Sequence, residues 1–254
     1  MPTHFLTPYF LDQPIDLTVE EDYDLNAPSL PDGAPVLERL VALYEPLAEA
    51  IQLAVGYGLC PTSIAGDCIA ALGVLAGLQR AGVAPTLIWF DAHGDFNTPL
   101  TTPSGFLGGM PLAMAVGRGD QTIVRGLGLQ PLPESQVILT DARDLDPGER
   151  EAVAASALTH LPRVTDLLEA PLPGGPLYVH FDCDVLDPAA VPAVNYPAPG
   201  GPSPGDLRRV FRRLAESEQL VAVSLSTWDP ELDQDGQSRQ AVLALLDDLL
   251  GEQP

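Results

Sequence analysis

Short apolar runs alternate with longer segments of helical period along most of the chain. The runs, rich in Val, Ile, Leu and aromatic residues, predict strands, and the longer segments predict helices with one apolar face. This alternation is typical of βαβ units around a parallel sheet, so we expect an α/β fold. The predicted strands are His4–Leu11, Thr62–Gly66, Thr86–Phe90, Gln136–Thr140, Leu177–Phe181 and Leu220–Ser226. The predicted helices are Val36–Val55, Ile69–Ala81, Met110–Val116, Gly148–Ala157, Pro204–Glu216 and Gln240–Leu250.

Two loops stand out by their composition. One spans residues 97–109, and the other spans residues 191–204 and holds five prolines and two adjacent glycines. Strand and helix signals continue at the same spacing on both sides of each loop, and the chain has no internal repeat. We therefore expect one domain over residues 1–254. Ser203 followed by Pro204 predicts a capped start for the helix that follows.

Charge narrows the classes of partner. The 254 residues include 35 Asp and Glu against 12 basic residues, a formal net charge of −23 at pH 7. Affinity for nucleic acid and for anionic lipid depends on Lys and Arg displacing counterions, so we expect neither partner. All 12 basic residues are arginine, which excludes a Schiff-base lysine and a P-loop lysine. Most of the acidic residues are expected to form a solvated surface.

Three cysteines, Cys60, Cys68 and Cys183, are too few and too scattered for a disulfide framework. A reducing compartment fits them best. The N-terminal residues lack a basic segment before an apolar run, and no stretch of about 18 uncharged apolar residues occurs. We therefore expect a cytoplasmic protein without a membrane span.

Two of the predicted strands end in clusters of acidic residues and histidine. The first strand runs from Leu87 into Asp91, and the chain continues to His93 and Asp95. Residues two apart point the same way in an extended chain, so these three potential ligands should converge. In open α/β sheets, ligands bind beyond the carboxyl ends of the strands. This end of the strand is therefore a candidate site.

The second strand leads in the same way into Asp182, Asp184 and Asp187. Buried carboxylates without basic partners need a metal ion, and two ions that share carboxylates form the two-metal arrangement of many hydrolases. The alternative is that these residues form exposed Asx turns at the strand ends. His180, two residues before Asp182, is expected to pack or to form hydrogen bonds rather than to bind metal.

Three segments resemble signatures of the arginase/agmatinase (ureohydrolase) family. They are residues 89–99, with Asp-Ala-His-x-Asp-x-Asn-Thr-Pro, residues 180–188, with x-Asp-x-Asp-x-x-Asp-Pro, and residues 142–149, with Arg-Asp-x-Asp-x-x-Glu. The resemblance spans residues 63–233, with the segments in the family's order. It implies a three-layer α/β/α fold around a mostly parallel eight-stranded sheet. It also implies a dimanganese centre that hydrolyses a guanidino group to urea and an amine.

Matching the motifs residue by residue implies roles for individual side chains. Asp91 and Asp182 would bridge the two Mn²⁺ ions, Asp95 would complete one site, and His93 and Asp184 would complete the other. Asp95 would also be catalytic, because its free oxygen would orient the attacking water. Substrate contacts are implied for Asn97 and Ser104, near an α-carboxylate, and for Asp146 and Glu149, near an α-amino group. Ordinary loop and cap chemistry is the alternative for these four residues.

Three departures from the family bear on mechanism. The family has Gly-Gly-Asp-His after its first motif strand, whereas residues 65–68 are Ala-Gly-Asp-Cys. Cys68 therefore stands where a metal-binding histidine is expected, although a buried core cysteine is the alternative. A thiolate is a soft donor, so this site should bind Mn²⁺ weakly, be partly empty, or prefer Zn²⁺ or Fe²⁺. Gly108 replaces a histidine thought to shuttle protons, and Thr227 replaces the glutamate that pairs with the guanidinium.

Together these departures resemble a smaller branch of the family that acts on Nω-hydroxy-L-arginine. A hydroxyguanidine is less basic than a guanidine, so it would depend less on the missing glutamate, and Thr227 would form one hydrogen bond to it. We expect an enzyme that cleaves a C–N bond of arginine or Nω-hydroxyarginine, giving ornithine and urea or hydroxyurea. The alternatives are a degenerate member that acts as a binding or regulatory protein, and a hydrolase of another amidine or formimino substrate. Family members are commonly trimers or hexamers, which implies a homo-oligomer.

Overall fold

An eight-stranded parallel sheet forms the centre of the computed structural model, which describes residues 3–19 and 23–251. Its strands are β1 (His4–Thr7), β4 (Asp24–Leu25), β5 (Thr62–Ala65), β6 (Thr86–Asp91), β7 (Val137–Asp141), β8 (Thr159–Leu161), β9 (Leu177–Asp182) and β10 (Leu220–Ser226). They lie in the order β4–β1–β5–β10–β9–β6–β7–β8, and each of these neighbouring pairs is parallel. The short strands β2 (Tyr9–Phe10) and β3 (Gln13–Pro14) form a separate antiparallel hairpin.

Helices cover both faces of this sheet. They are α1 (Val36–Gly56), α2 (Ala70–Arg80), α3 (Pro111–Ala115), α4 (Thr122–Gly126), α5 (Pro147–Ala155), α6 (Pro204–Glu216) and α7 (Gln237–Leu250). Helices α1 to α5 contribute to one apolar core, and α6 and α7 contribute to a second core on the opposite face. The expected three-layer α/β/α fold is confirmed. No helix in the described ranges is both long and apolar enough to span a bilayer.

The central strands are apolar on both faces because each face meets a core. In β6, Leu87 and Trp89 belong to the first core, whereas Ile88 and Phe90 belong to the second. A strand of this kind appears in the sequence as a continuous apolar run rather than as an alternating pattern. This explains why the sequence predicted the central strands well.

The structure corrects the N-terminal prediction. The single strand predicted over His4–Leu11 is wrong beyond Thr7, where β1 ends and the β2–β3 hairpin begins. Pro8 separates them, since it has no N–H for a sheet ladder, and its carbonyl accepts a hydrogen bond from Ile15 N at 3.0 Å. Strands β4 and β8 and helix α4 were not predicted, because so few residues show no period. The predicted cap is confirmed: Ser203 Oγ accepts from Asp206 N at 3.1 Å, directly before α6.

Candidate metal centre

Four adjacent strands in the middle of the sheet end at the same edge and carry the candidate ligands there. Asp91 is the last residue of β6, and Asp182 is the last residue of β9. Cys68 lies three residues beyond β5, and Thr227 follows β10 directly. Since β5, β10, β9 and β6 are neighbours in the sheet, side chains distant in sequence meet at one place. This is the edge at which open α/β sheets bind ligands.

Two groups of three potential metal ligands share Asp91. In the first, which we call the sulfur group, ligand atoms of Cys68, Asp91 and Asp182 lie within 4.8 Å of one another. In the second, which we call the histidine group, the same holds for Asp91, His93 and Asp184. Five of the six residues predicted as metal ligands are therefore in contact range of at least two others.

The sixth, Asp95, lines the same cavity but belongs to neither group. It is buried, and its Oδ2 has no hydrogen-bond partner among the described residues. A buried carboxylate oxygen without a partner is costly unless a cation faces it. The alternation argument that brought Asp95 into the prediction is wrong in detail: the strand ends at Asp91, His93 N donates back to Asp91 Oδ1 at 2.7 Å, and Asp95 has φ +49°, so the segment bends instead of continuing as extended chain.

Positive charge near these carboxylates is scarce. Asp91, Asp95, Asp182 and Asp184 are all at most 5% exposed, and no arginine lines the cavity that the described residues form beside them. The basic group in contact is His93, whose Nδ1 lies 3.0 Å from Asp184 Oδ2 and 3.3 Å from Asp91 Oδ1. One imidazole does not balance four carboxylates.

Burial and mutual repulsion shift the ionisation of this cluster. Burial is the largest cause that raises the pKa of Asp91, Asp95 and Asp182, and repulsion by neighbouring carboxylates adds to it. Burial opposes the charged form of His93, but its hydrogen bonds to Asp184 and Asp91 outweigh this and raise the pKa of His93 to about 12. Crowded, desolvated carboxylates of this kind, with an imidazole and a thiol, fit a pair of divalent cations.

Cys68 takes part in this cluster rather than only in the apolar core. Its Sγ donates to Asp182 Oδ2 at 2.8 Å and lies 3.1 Å from Ser226 Oγ. Burial is the main cause that raises the pKa of the Cys68 thiol well above its ordinary value. A cation would have to displace that proton for the sulfur to bind as a thiolate.

Two buried aromatic residues, Trp89 and His180, lie next to the ligand cluster. Trp89 Nε1 donates to Asp91 Oδ2 at 3.0 Å; sequence reasoning missed this contact, although Trp89 stands two residues before Asp91 on the same strand. His180 is fully buried, its ring centroid lies 3.8 Å from that of Trp89, and its Nδ1 lies 2.7 Å from Ser224 Oγ. His180 thus packs and forms hydrogen bonds, as expected.

A cavity of about 450 Å³ opens over the cluster, and the residues predicted to hold substrate line it. Several of their polar atoms already have partners. Asn97 Nδ2 donates to Asp146 Oδ2 at 2.9 Å. Glu149 accepts from the backbone N–H of Phe96 at 2.8 Å and of Asp146 at 3.3 Å. The hydroxyl of Ser104, in an exposed loop, accepts from the N–H of Phe106 at 3.1 Å.

At the two other departures from the family, the structure shows what occupies the space. Thr227 has φ +67°, and its hydroxyl donates to Asp182 Oδ1, so that hydrogen bond is directed at the cluster and not at the cavity. A β-branched residue with this φ is a strained outlier. The ring of Phe106 occupies the place that a side chain on residue 108 would need, so a larger residue than Gly108 would require that ring to move.

Phe106 is also part of an aromatic wall that sequence reasoning missed. We define this wall as Phe10, Phe106 and Tyr196, all of which line the cavity. The Phe106 centroid lies 6.1 Å from that of Phe10 and 5.1 Å from that of Tyr196. Because these residues come from three distant segments, no local sequence pattern announces the wall.

Comparison with known proteins places the chain in a family. A sequence model described as the arginase family matches residues 11–251. The chain belongs to the arginase family of hydrolytic enzymes. It is 35% identical over 213 residues to an N(omega)-hydroxy-L-arginine amidinohydrolase of Streptomyces lavendulae, covering 83% of this chain and 74% of that protein. It is 31% identical over 229 residues to an arginase of Bacillus caldovelox, covering 85% and 77%.

Solved structures of arginase family members show the same architecture. The crystal structure of an arginase from Bacillus subtilis matches with a TM-score of 0.83 and 26% identity, covering 100% of this chain and 99% of that one. An arginase from Bacillus cereus matches with a TM-score of 0.79 and 28% identity, covering 85% and 80%. The fold class and the enzyme class expected from the motifs are therefore confirmed.

Proposed function

We propose that this arginase family member is a two-metal amidinohydrolase that cleaves a C–N bond of a guanidino amino acid, with Nω-hydroxy-L-arginine preferred over arginine. The observation that carries the proposal is the buried cluster at the ends of β6 and β9, in which two groups of potential ligands share Asp91. The activity for which the Streptomyces lavendulae relative is named supports the choice of substrate.

The chain's own residues divide the proposed centre into two unequal halves. The sulfur group, with Asp95 beside it, would hold one divalent cation, and the histidine group would hold the other, with Asp91 and Asp182 shared. Two cations held there would activate water as the nucleophile for hydrolysis. Because thiolate is a softer donor than imidazole or carboxylate, the histidine group is the half suited to Mn²⁺, and the sulfur group is suited to Zn²⁺ or Fe²⁺.

Asp95 is proposed to be the catalytic carboxylate. Its Oδ2 is buried with no hydrogen-bond partner among the described residues, and Asp95 lines the cavity, so this carboxylate is available to accept a hydrogen bond from the attacking water and to hold its proton. No imidazole is available at residue 108, where Phe106 fills the space. The proton that the leaving amine needs would therefore come from Asp95 or from solvent in the cavity.

The far end of the substrate would meet the loop residues over the cluster. Asp146, which lines the cavity, is proposed to pair with the α-amino group, and Asn97 and Ser104 are proposed to face the α-carboxylate. Glu149 is proposed to act mainly through the backbone: it accepts from Phe96 N, and a Cβ on Gly94 would lie 2.7 Å from its Oε1. It thereby holds the turn that carries His93 and Asp95.

The residue at position 227 is why we expect the enzyme to prefer Nω-hydroxyarginine over arginine. The hydroxyl of Thr227 donates to Asp182, and the side chain brings no carboxylate to pair with a cationic head group. A hydroxyguanidine is less basic than a guanidine and is more often neutral near pH 7. It would therefore lose less from the absence of that pairing than arginine would.

Release of urea from arginine and agmatine, of hydroxyurea from Nω-hydroxyarginine and of formamide from formiminoglutamate tests the proposal. Purified protein loaded with Mn²⁺, Zn²⁺ or Fe²⁺ is assayed on arginine, Nω-hydroxyarginine, agmatine and formiminoglutamate. Hydroxyurea release from hydroxyarginine should exceed urea release from arginine, and Asp95→Asn should lower it by about 100-fold or more, the usual scale for loss of an acid–base group. Faster hydrolysis of arginine would refute the preference, and no turnover of either arginine or Nω-hydroxyarginine would refute the activity.

A further inference from the structure

Arg143 lies behind the cluster, against the backbone of the segment that carries Asp184. It comes two residues after the end of β7, and the last residue of β7, Asp141 with φ +73°, and Ala142 with φ +50° turn the chain. The Arg143 guanidinium donates to three successive carbonyls: Nη2 to Asp184 at 3.2 Å, Nη1 to Val185 at 2.9 Å, and Nη2 to Leu186 at 3.3 Å. It therefore grips this segment through its backbone.

The same guanidinium also contacts the end of β7 and the loop of residues 191–204. Arg143 Nη1 pairs with Asp141 Oδ1 at 2.8 Å, and Nη2 donates to the carbonyl of Ala198 at 2.6 Å. Gly201 packs so closely here that a Cβ would lie 2.7 Å from Nη2. One half-buried side chain thus joins the end of β7, the Asp184 segment and the loop of residues 191–204.

We propose that Arg143 is a positioning residue that holds Asp184 in the histidine group. The inference rests on the proposed two-metal centre. Residues Cys183–Val185 form one turn of 3-10 helix, and the carbonyls at its end have no partners within that helix. Arg143 supplies them with donors and places a positive charge at the negative end of the turn.

The Asp184 segment is fixed at two ends, and Arg143 is one of them. At the start, Asp184 N donates to Asp182 Oδ1 at 2.9 Å. At the end, the contacts are those from Arg143. Without them, the backbone of residues 184–186 loses its attachment to β7 and to Ala198, and the Asp184 carboxylate is held only by Ala92 N, which donates to Oδ1 at 3.2 Å, and by His93.

The effect should be confined to one half of the centre. Cys68 and Asp182 are held by Ser226, the last residue of β10, and by Thr227, which follows it, and neither has a hydrogen bond to Arg143 among those described. Loss of Arg143 should therefore weaken the histidine group and spare the sulfur group. Outer residues that orient metal ligands typically change metal affinity by about 10- to 100-fold.

The test is to compare the metal affinity of Arg143→Met with that of the unaltered chain; the readout does not depend on enzymatic activity. Calorimetric titration of the chelator-treated protein with Mn²⁺ should show one equivalent weakened by about 10- to 100-fold and the other changed by less than about threefold. Titration with Co²⁺ should retain the near-ultraviolet sulfur-to-cobalt absorption that reports Cys68. Arg80→Met is the matched control, because Arg80 is similarly buried and pairs with Glu45 and the Leu127 carbonyl. In this variant, both equivalents of Mn²⁺ should bind with unchanged affinity.

Removing Arg143 leaves Asp141 without its ion-pair partner, and an unpaired buried charge is destabilising. Asp141→Asn/Arg143→Met removes that charge and gives the same readout if the single variant does not fold. Equal weakening of both equivalents, or no change in either, would overturn the role of Arg143 while leaving the metal centre in place. Failure of the unaltered chain to bind any metal would overturn both.

Discussion

The ring of Phe106 fills the space beside Gly108, so that a Cβ on residue 108 would fall among the ring atoms. The ring is held there by the neighbouring rings of Phe10 and Tyr196. Residue 108 and residue 106 therefore compete for one volume at the cavity wall. The absence of a histidine at residue 108 is tied to the presence of the aromatic wall.

Gly108→His is therefore expected to destabilise the protein by about 1–3 kcal/mol, the usual cost of overpacking. Phe106→Ala/Gly108→His should recover most of this, because the ring that the new side chain meets is gone. Urea unfolding of the two single variants and the double variant measures the coupling. If the changes in unfolding free energy of the two single variants add up to that of the double variant, the competition for space is refuted.

Cys68 is expected to be the residue that sets metal preference. Cys68→His should tighten Mn²⁺ binding at the weaker site by about tenfold or more, since imidazole suits Mn²⁺ better than thiolate does. Cys68→Ser should abolish the sulfur-to-cobalt absorption of the Co²⁺-loaded protein. Cys60→Ser is the control, because the half-buried Cys60 lies outside both ligand groups. Unchanged spectra in Cys68→Ser would show that the sulfur does not bind the ion.

The sequence predicted the site best where a buried strand ends directly in a potential metal ligand. The apolar runs of β6 and β9 end directly in Asp91 and Asp182, so strand and ligand were found together. The predicted convergence of Asp91, His93 and Asp95 in an extended chain was only partly right, because the chain bends directly after Asp91, where His93 N donates to Asp91 Oδ1 at 2.7 Å.

Contacts between distant segments could not be predicted in this way. Nothing near Phe106 in sequence indicates that Phe10 and Tyr196 pack beside it, and nothing near Arg143 indicates that it grips the carbonyl of Asp184. The direction of the Thr227 hydroxyl depends on a left-handed backbone, which β-branched residues rarely adopt. These features depend on tertiary packing, and single-sequence patterns do not carry it.

Glu149 should make stability fall as the pH rises toward neutrality. Burial raises the pKa of Glu149 from 4.5 to about 7, so between these values the folded chain binds the proton more tightly than the unfolded chain. Ionisation of Glu149 therefore destabilises the folded chain. This destabilisation is absent well below pH 4.5 and reaches its full size above pH 7. In Glu149→Gln, the loss of unfolding free energy between pH 4 and pH 8 should shrink by on the order of 3 kcal/mol.

Urea unfolding across that pH range checks this, and groups common to both proteins cancel in the difference. Glu134→Gln is the control, because hydrogen bonds from Ala157 N and Arg118 outweigh burial and lower the pKa of Glu134. Removing the Glu134 carboxylate should not reduce the loss of unfolding free energy between pH 4 and pH 8. Parallel curves for Glu149→Gln and the unaltered chain would contradict the prediction.

Thr227→Glu should move the substrate preference toward arginine. The new carboxylate would face the cavity that Thr227 lines and would pair with a cationic guanidinium more strongly than with a neutral hydroxyguanidine. A hydrogen bond to a charged group contributes about 1.5–3 kcal/mol, so the kcat/KM ratio of arginine to hydroxyarginine should rise by about 10- to 100-fold. Thr227→Gln has the same shape without the charge and should leave the ratio near that of the unaltered chain. Because both substrates are measured on one protein, any general loss through the Asp182 contact cancels in the ratio, and equal ratios for the two variants would refute the role of charge at this position.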